Sequence, residues 1–293
     1  MRRSWITLTL LFVVVAALGL FVYLKPREPQ QQEYRLSSLK PEDVRQLRIQ
    51  HPGKPVIELA RESAEWRMAA PVAARAETFQ VQRVLAILDA TTNTRFPATG
   101  LARFELDRPR AEVTINDQTF AYGAVSPVTG ELYVRSGDWV YPVPARYLGS
   151  LPSSGRSAFV SRQLFGPNEI PVRFEFPQFK VVQEHGRWTV TPASADLSQD
   201  DIARWADNWR QASALQAEPY NGPLPAKHIT VEMKDGRRVS FGVQETETEL
   251  AFTRFDEHMR YVVLPNVARV MLAPPQGEPL GKEKRPDVIK REP

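Results

Sequence analysis

The sequence predicts an α+β protein: two tandem repeats, each a mainly antiparallel β-sheet with one principal helix, after an N-terminal transmembrane helix. Three observations predict it. An uncharged run of 21 residues, Ser4 to Leu24, follows Arg2 and Arg3. The stretch Glu65 to Leu85 reads as strand, proline and amphipathic helix, and Arg187 to Trp209 says nearly the same. Around both lie short runs of alternating apolar residues separated by turn residues, the pattern of hairpins beside a helix.

The opening run is long enough to span a bilayer, since about 20 helical residues cross about 30 Å of hydrocarbon. Trp5 and Tyr23 fall at its two interfaces and Lys25-Pro26 ends it. Ala17-Leu18-Gly19 would serve as a signal-peptide cleavage site, but five further apolar residues follow, so an uncleaved anchor over residues 4–24 is expected. Arg2, Arg3 and the terminal amine favour a cytoplasmic N-terminus, which puts the rest of the chain outside the cytoplasmic membrane, in a periplasm. The expected division is an anchor at 1–27, a first repeat at 28–152, a polar connector at 153–169, a second repeat at 170–272 and a disordered tail at 273–293.

The repeat has a period close to 121. Pro71 falls on Pro192, Val81 on Ile202, Val84 on Trp205, Leu88 on Trp209 and Pro144 on Pro265. Trp66 meets Trp188 at 122, and Phe120-Ala-Tyr-Gly123 meets Val239-Ser-Phe-Gly242 at 119. Each copy begins with two strands, 44–49 and 56–61, then 172–176 and 179–183. The tryptophan strand, the proline and the helix come next, with apolar stripes Val81, Val84, Leu85, Leu88 and Ile202, Trp205, Ala206, Trp209. Ser198 with Asp201 forms a capping box at the second helix. Hairpins turning at Asn116-Asp117 and Asp235-Gly236 follow. Two further strands and a short helix, 145–151 or 266–272, close each copy.

The order of anchor, "EWRMAAP", helix, "RFPATGLARFELDRPRAEVTI", "YVRSGDWVYPV" and "SAFVSRQLF" resembles the bacterial family called domain of unknown function 4340. These motifs are structural and carry no catalytic residues. Some members of the family are encoded beside ABC-transporter or gliding-associated components, so the resemblance implies an envelope partner.

Composition excludes several function classes. With no cysteine there is no disulfide, thiolate metal site or cysteine nucleophile. A net charge of +4 with dispersed basic residues gives no nucleic-acid footprint. Trp205 and Trp209 could stack on a sugar, but their counterparts Val84 and Leu88 are plain core residues, so packing is expected for both. Glu245, Glu247 and Glu249 would share one face of a strand; a solvated edge strand is expected there in place of a calcium site. His51, His185, His228 and His258 lack ligand spacing. Ser37-Ser-Leu-Lys40 fits an acyl-enzyme pattern whose supporting elements are absent. The expectation is therefore a non-enzymatic, membrane-anchored binding or scaffold protein with no cofactor, metal or catalytic site. It would touch the bilayer through residues 4–24 and envelope or ABC-transporter proteins through a cleft between the repeats. The alternative is an envelope glycan- or peptide-acting enzyme whose pocket would gather Glu245, Glu247, Asp256, His258 and His228.

Overall fold

The computed structural model describes residues 11–12, 14–16, 32–62, 65–152, 155–193, 197–223 and 225–277. The expected anchor, residues 4–24, lies outside them except at 11–12 and 14–16, which are helical. Among the described residues no helix is long and apolar enough to cross a membrane. Residues 278–293 of the expected tail also lie outside.

In chain order, β1 (Tyr34–Arg35), β2 (Gln46–Gln50), β3 (Ile57–Glu62), β4 (Glu65–Ala70) and β5 (Ala74–Arg75) precede helix α1 (Thr78–Leu85). Then come β6 (Thr91–Thr92), β7 (Phe96–Pro97), β8 (Ala111–Ile115), β9 (Gln118–Val125), β10 (Glu131–Ser136), β11 (Trp139–Pro144) and the single turn α2 (Arg146–Gly149). The second half has β12 (Pro171–Glu175), β13 (Lys180–Glu184), β14 (Arg187–Thr191), α3 (Gln199–Arg210), β15 (Gln216–Pro219), β16 (His228–Met233), β17 (Arg238–Glu245), β18 (Leu250–Arg254), β19 (Met259–Val263) and α4 (Pro265–Leu272). The architecture is two mostly antiparallel sheets with few helices. A nine-stranded sheet runs β5-β4-β3-β2-β8-β9-β10-β11-β7, and an eight-stranded one runs β14-β13-β12-β16-β17-β18-β19-β15. β1 pairs with β6 separately.

Alternation decides which face each strand buries. In β2, Leu47 and Ile49 are buried while Gln46, Arg48 and Gln50 are exposed. The β8–β9 hairpin turns at Asn116, whose φ of +50° suits asparagine, and its side-chain carbonyl accepts bonds from the Arg45 and Gln46 amides. α1 lays Val81, Val84 and Leu85 on the first sheet, and a 3₁₀ turn, Ala86–Asp89, continues the stripe to Ile87 and Leu88. α3 starts at the capping box of Ser198 and Asp201 and buries Ile202, Trp205, Ala206 and Trp209.

The two tryptophans of α3 are core. Trp209 is fully buried, and its ring lies 5.1 Å from Phe252 and 5.7 Å from Phe174. Trp205 meets Phe174 edge-on at 5.1 Å. Each indole N–H donates at 2.9 Å to a carbonyl at the end of α4, Trp209 to Met271 and Trp205 to Ala273. A buried tryptophan needs such a partner, and here the bond ties α3 to α4.

Gly123 and Gly242 have a shared cause. A Cβ on Gly123 would lie 2.2 Å from the Phe104 carbonyl oxygen; one on Gly242 would lie 2.7 Å from the Pro225 ring. In both halves a loop crosses the sheet where only glycine leaves room.

Two expectations are corrected. Glu245 to Glu249 is not an edge strand. β17 ends at Glu245 and β18 begins at Leu250. Between them Thr246 closes a turn, its N–H and hydroxyl donating to the Glu249 carbonyl at 2.8 and 3.2 Å. Threonine's local side-chain bonds compete with strand continuation, and here they win. The edges are formed instead by the short strands β5, β7, β14 and β15. The segment read as a polar connector is also largely buried: Phe159, Val160, Leu164 and Phe165 join the core that spans both sheets.

The glycine crossing can be measured. Gly123→Ala should lower unfolding free energy in urea by about 2–3 kcal/mol, because a backbone carbonyl must move. Gly149→Ala, with nothing within 4 Å of the added carbon, should leave it unchanged.

Candidate functional site

The connector joins the two halves by hydrogen bonds along both of its edges. On one side Ala76 bridges Val160, the Glu77 N–H donates to the Phe159 carbonyl at 2.8 Å, and the Ser161 N–H donates to the Arg75 carbonyl at 2.9 Å. On the other side Gln163 bridges Ser213, the Ala214 N–H donates to the Arg162 carbonyl at 2.8 Å, and Leu164 N–H donates to Ala212. An extended segment aims successive side chains to opposite faces. Val160 and Arg162 accordingly line one groove, while Ser161, Gln163 and Phe165 line another.

Two buried arginines, one from each half, grip the carbonyls of this segment. Arg75 donates through Nη2 to the carbonyls of Gln163 (2.6 Å) and Leu164 (3.3 Å) and to the Tyr261 hydroxyl (3.0 Å). Its Nε pairs with Glu257 at 2.6 Å, and Tyr261 O–H donates to the same carboxylate at 2.8 Å. Arg254, 1% exposed, holds Glu169 with two bonds of 2.6 Å and also reaches the Leu164 carbonyl at 3.0 Å. Gly166 N–H adds a third donor to Glu169, at 2.7 Å.

This geometry fixes the protonation states. Burial alone would raise the Glu169 carboxyl, but the bonded Arg254 guanidinium outweighs it and holds the carboxyl at about 2. Burial likewise opposes the charge on Arg254, and the bonds it donates to Glu169 and Asp256 override this and raise the group. Tyr261 is pushed above its ordinary value, first by burial. Glu169 is thus ionised and Tyr261 protonated near neutrality, and neither is poised to exchange a proton. The cluster is a mutually satisfied clamp, which suits holding two sheets together better than chemistry.

Arg75 and Glu169 of the clamp line the groove that Ser161, Gln163 and Phe165 face; the larger groove, about 840 Å³, lies on the connector's other face. The start of α1 supplies Glu77, Phe79 and Gln80, the connector supplies Val160 and Arg162, and the edge of β15 supplies Leu215 to Pro219. Phe79 and Leu215 are large apolar side chains 66% and 56% exposed there. Phe79 is the second residue of an amphipathic helix and points away from its stripe.

The residues singled out from the sequence lie elsewhere. Glu245 pairs with Arg269, and Glu249 pairs with Arg260. Glu245, Glu247, Asp256, His258 and His228 are all exposed. Glu245 and Glu247 sit at one end of β18 and Asp256 and His258 at the other, so the structure does not gather them. His185 and His258 occupy turns with φ of +48° and +52°. Ser37 donates to the Gln118 side-chain carbonyl at 2.6 Å, which makes it a bracket between the N-terminal segment and β9. Among the described residues no three His, Cys, Asp or Glu side chains stand close enough to hold a metal ion. Sequence reasoning missed Arg75, Glu169, Arg254, Glu257 and Tyr261. A usable signal was present: Arg254 ends the run Leu-Ala-Phe-Thr-Arg, and a charge inside an apolar strand needs a buried partner.

Fold and site together define a class: a cysteine-free protein of two antiparallel sheets, clamped across an extended connector that has a groove on each face. The family model described as Domain of unknown function (DUF4340) matches residues 66–227, more than half of the chain, and the chain belongs to that family. The match runs from β4 to the residue before β16 and so includes the connector and part of both sheets. No curated protein and no solved structure matches it.

Removing one partner of the clamp leaves a buried charge uncompensated. Arg254→Met should cost about 3–5 kcal/mol in urea unfolding, and adding Glu169→Leu should recover much of it. The pH dependence has a defined sign. Glu169 titrates near 2 in the fold against an ordinary 4.5. Its contribution is therefore complete above about pH 4.5 and fades as the pH falls toward 2. A melting-temperature series from pH 6 to 2.5 should show this decline, and Glu169→Gln should flatten it.

Proposed function

We propose that this protein is a non-catalytic binding or scaffolding component of the bacterial envelope. Residues 4–24 would hold it to the inner membrane with a cytoplasmic N-terminus, and the two sheets would work in the periplasm beside an ABC-type system. The observation that carries the binding role is the 840 Å³ groove between the halves, which leaves Phe79 and Leu215 open to solvent. Large exposed apolar side chains lining one concavity favour a partner. The ion cluster, whose Arg75 and Glu169 line the other groove, is already satisfied internally, which favours binding over acid–base chemistry. The uncharged run and its flanking arginines support the anchor.

We also read the two halves as copies of one ancestral unit. Apart from β5, the nine-stranded sheet has the same chain order as the eight-stranded one, strand for strand. The glycine crossings at Gly123 and Gly242 support the same reading. A crystal structure in which β2–β4 and β8–β11 do not superimpose on β12–β14 and β16–β19 would overturn it.

Fractionation tests the location. The full chain should resist alkaline extraction from membranes and be digested by protease added to spheroplasts; release by alkali, or protection from the protease, would sink the reading.

A further inference from the structure

We propose that the groove takes an extended peptide, which adds as a strand to the free edge of β15. This rests on the groove being the binding site proposed above, and it names the class of partner.

β15 ends its sheet, paired on one side only, with β19. The register sets Glu218 opposite Arg260, and the Tyr220 N–H donates to the His258 carbonyl at 2.7 Å. In an antiparallel pair the main-chain groups alternate inward and outward. Those of Glu218 therefore face β19, and the N–H and carbonyl of Ala217 face the groove. Just upstream, the same outer edge is already used. The Ala214 N–H donates to Arg162 and Gln163 bridges Ser213, so the connector is itself an added strand over residues 212–214. It then turns away to meet Ala76. Among the described residues nothing pairs with this edge from Leu215 onward, and Pro219, which has no N–H, ends it.

The walls of the groove set what the peptide must carry. Phe79, Leu215 and Val72 offer apolar contact to alternate side chains of a strand. Glu77 and Arg162 line the same groove, and among the described residues neither side chain has an ion-pair or hydrogen-bond partner. An acidic and a basic side chain thus lie ready for a peptide bearing a base and an acid. A concave wall accepts one strand, whereas two copies of this chain would meet concavity to concavity. The occupant is therefore an extended, period-two apolar peptide with charged residues of both signs.

The test uses the full-length chain in nanodiscs as bait for a phage-displayed library of random dodecapeptides. Enriched peptides should alternate apolar with polar residues and include a basic one. Ala217→Pro removes the outward N–H on an edge that tolerates proline and should weaken binding at least tenfold, as should Phe79→Ser. Should the proline variant not fold, the same peptides N-methylated along one edge give the equivalent measurement on the wild-type chain. Binding that falls with Phe79→Ser but ignores both Ala217→Pro and N-methylation would overturn strand addition while leaving the groove as the binding site. No enrichment, or binders insensitive to every change, would overturn both. A dimer in light scattering that Ala217→Pro dissociates would assign the edge to a second copy and overturn the peptide.

Discussion

The whole arrangement depends on two arginine side chains that close on one extended segment. Arg75 comes from the first sheet's edge and Arg254 from the middle of the second. Both donate to the Leu164 carbonyl, and between them they engage Glu257 and Glu169. A desolvated guanidinium is tolerable only when its donors are spent on fixed acceptors. The connector provides those acceptors as main-chain carbonyls and as Glu169. Neither half can therefore be described without the other, although each has its own sheet and principal helix.

That constraint also shapes the surface. Because the connector is held along both edges, its alternating side chains are forced into two separate grooves. Because it leaves the β15 edge after residue 214, it exposes the edge that follows. Proteins usually cover or interrupt such edges. Here the edge is four residues long and ends in proline, so the exposure is confined to a stretch walled by Phe79 and Arg162.

Much of the fold was legible in the residues. Apolar alternation located β2, β3, β12 and β13 to within two residues, since burial on one face demands period two. The capping box marked the start of α3 to the residue, because Ser198 and Asp201 satisfy each other locally. The pairing of Val84 with Trp205 and Leu88 with Trp209 correctly marked the α3 tryptophans as core. The two- and four-residue edge strands were not legible, because such runs carry no periodicity. The acidic stretch at 245–249 misled because charge alternation looks the same in a strand and in a turn, and only the threonine bonds separate them.

By itself the sequence determined the antiparallel hairpins, the principal helices and their buried stripes, and the family, since each rests on contacts between residues near in sequence or on a local motif. Tertiary structure alone decided the clamp, the role of the connector and the groove. Arg75 and Glu257 are 182 positions apart and Glu169 and Arg254 are 85 apart. No local pattern links such pairs, and a buried charge finds its partner only once the two halves have been brought together.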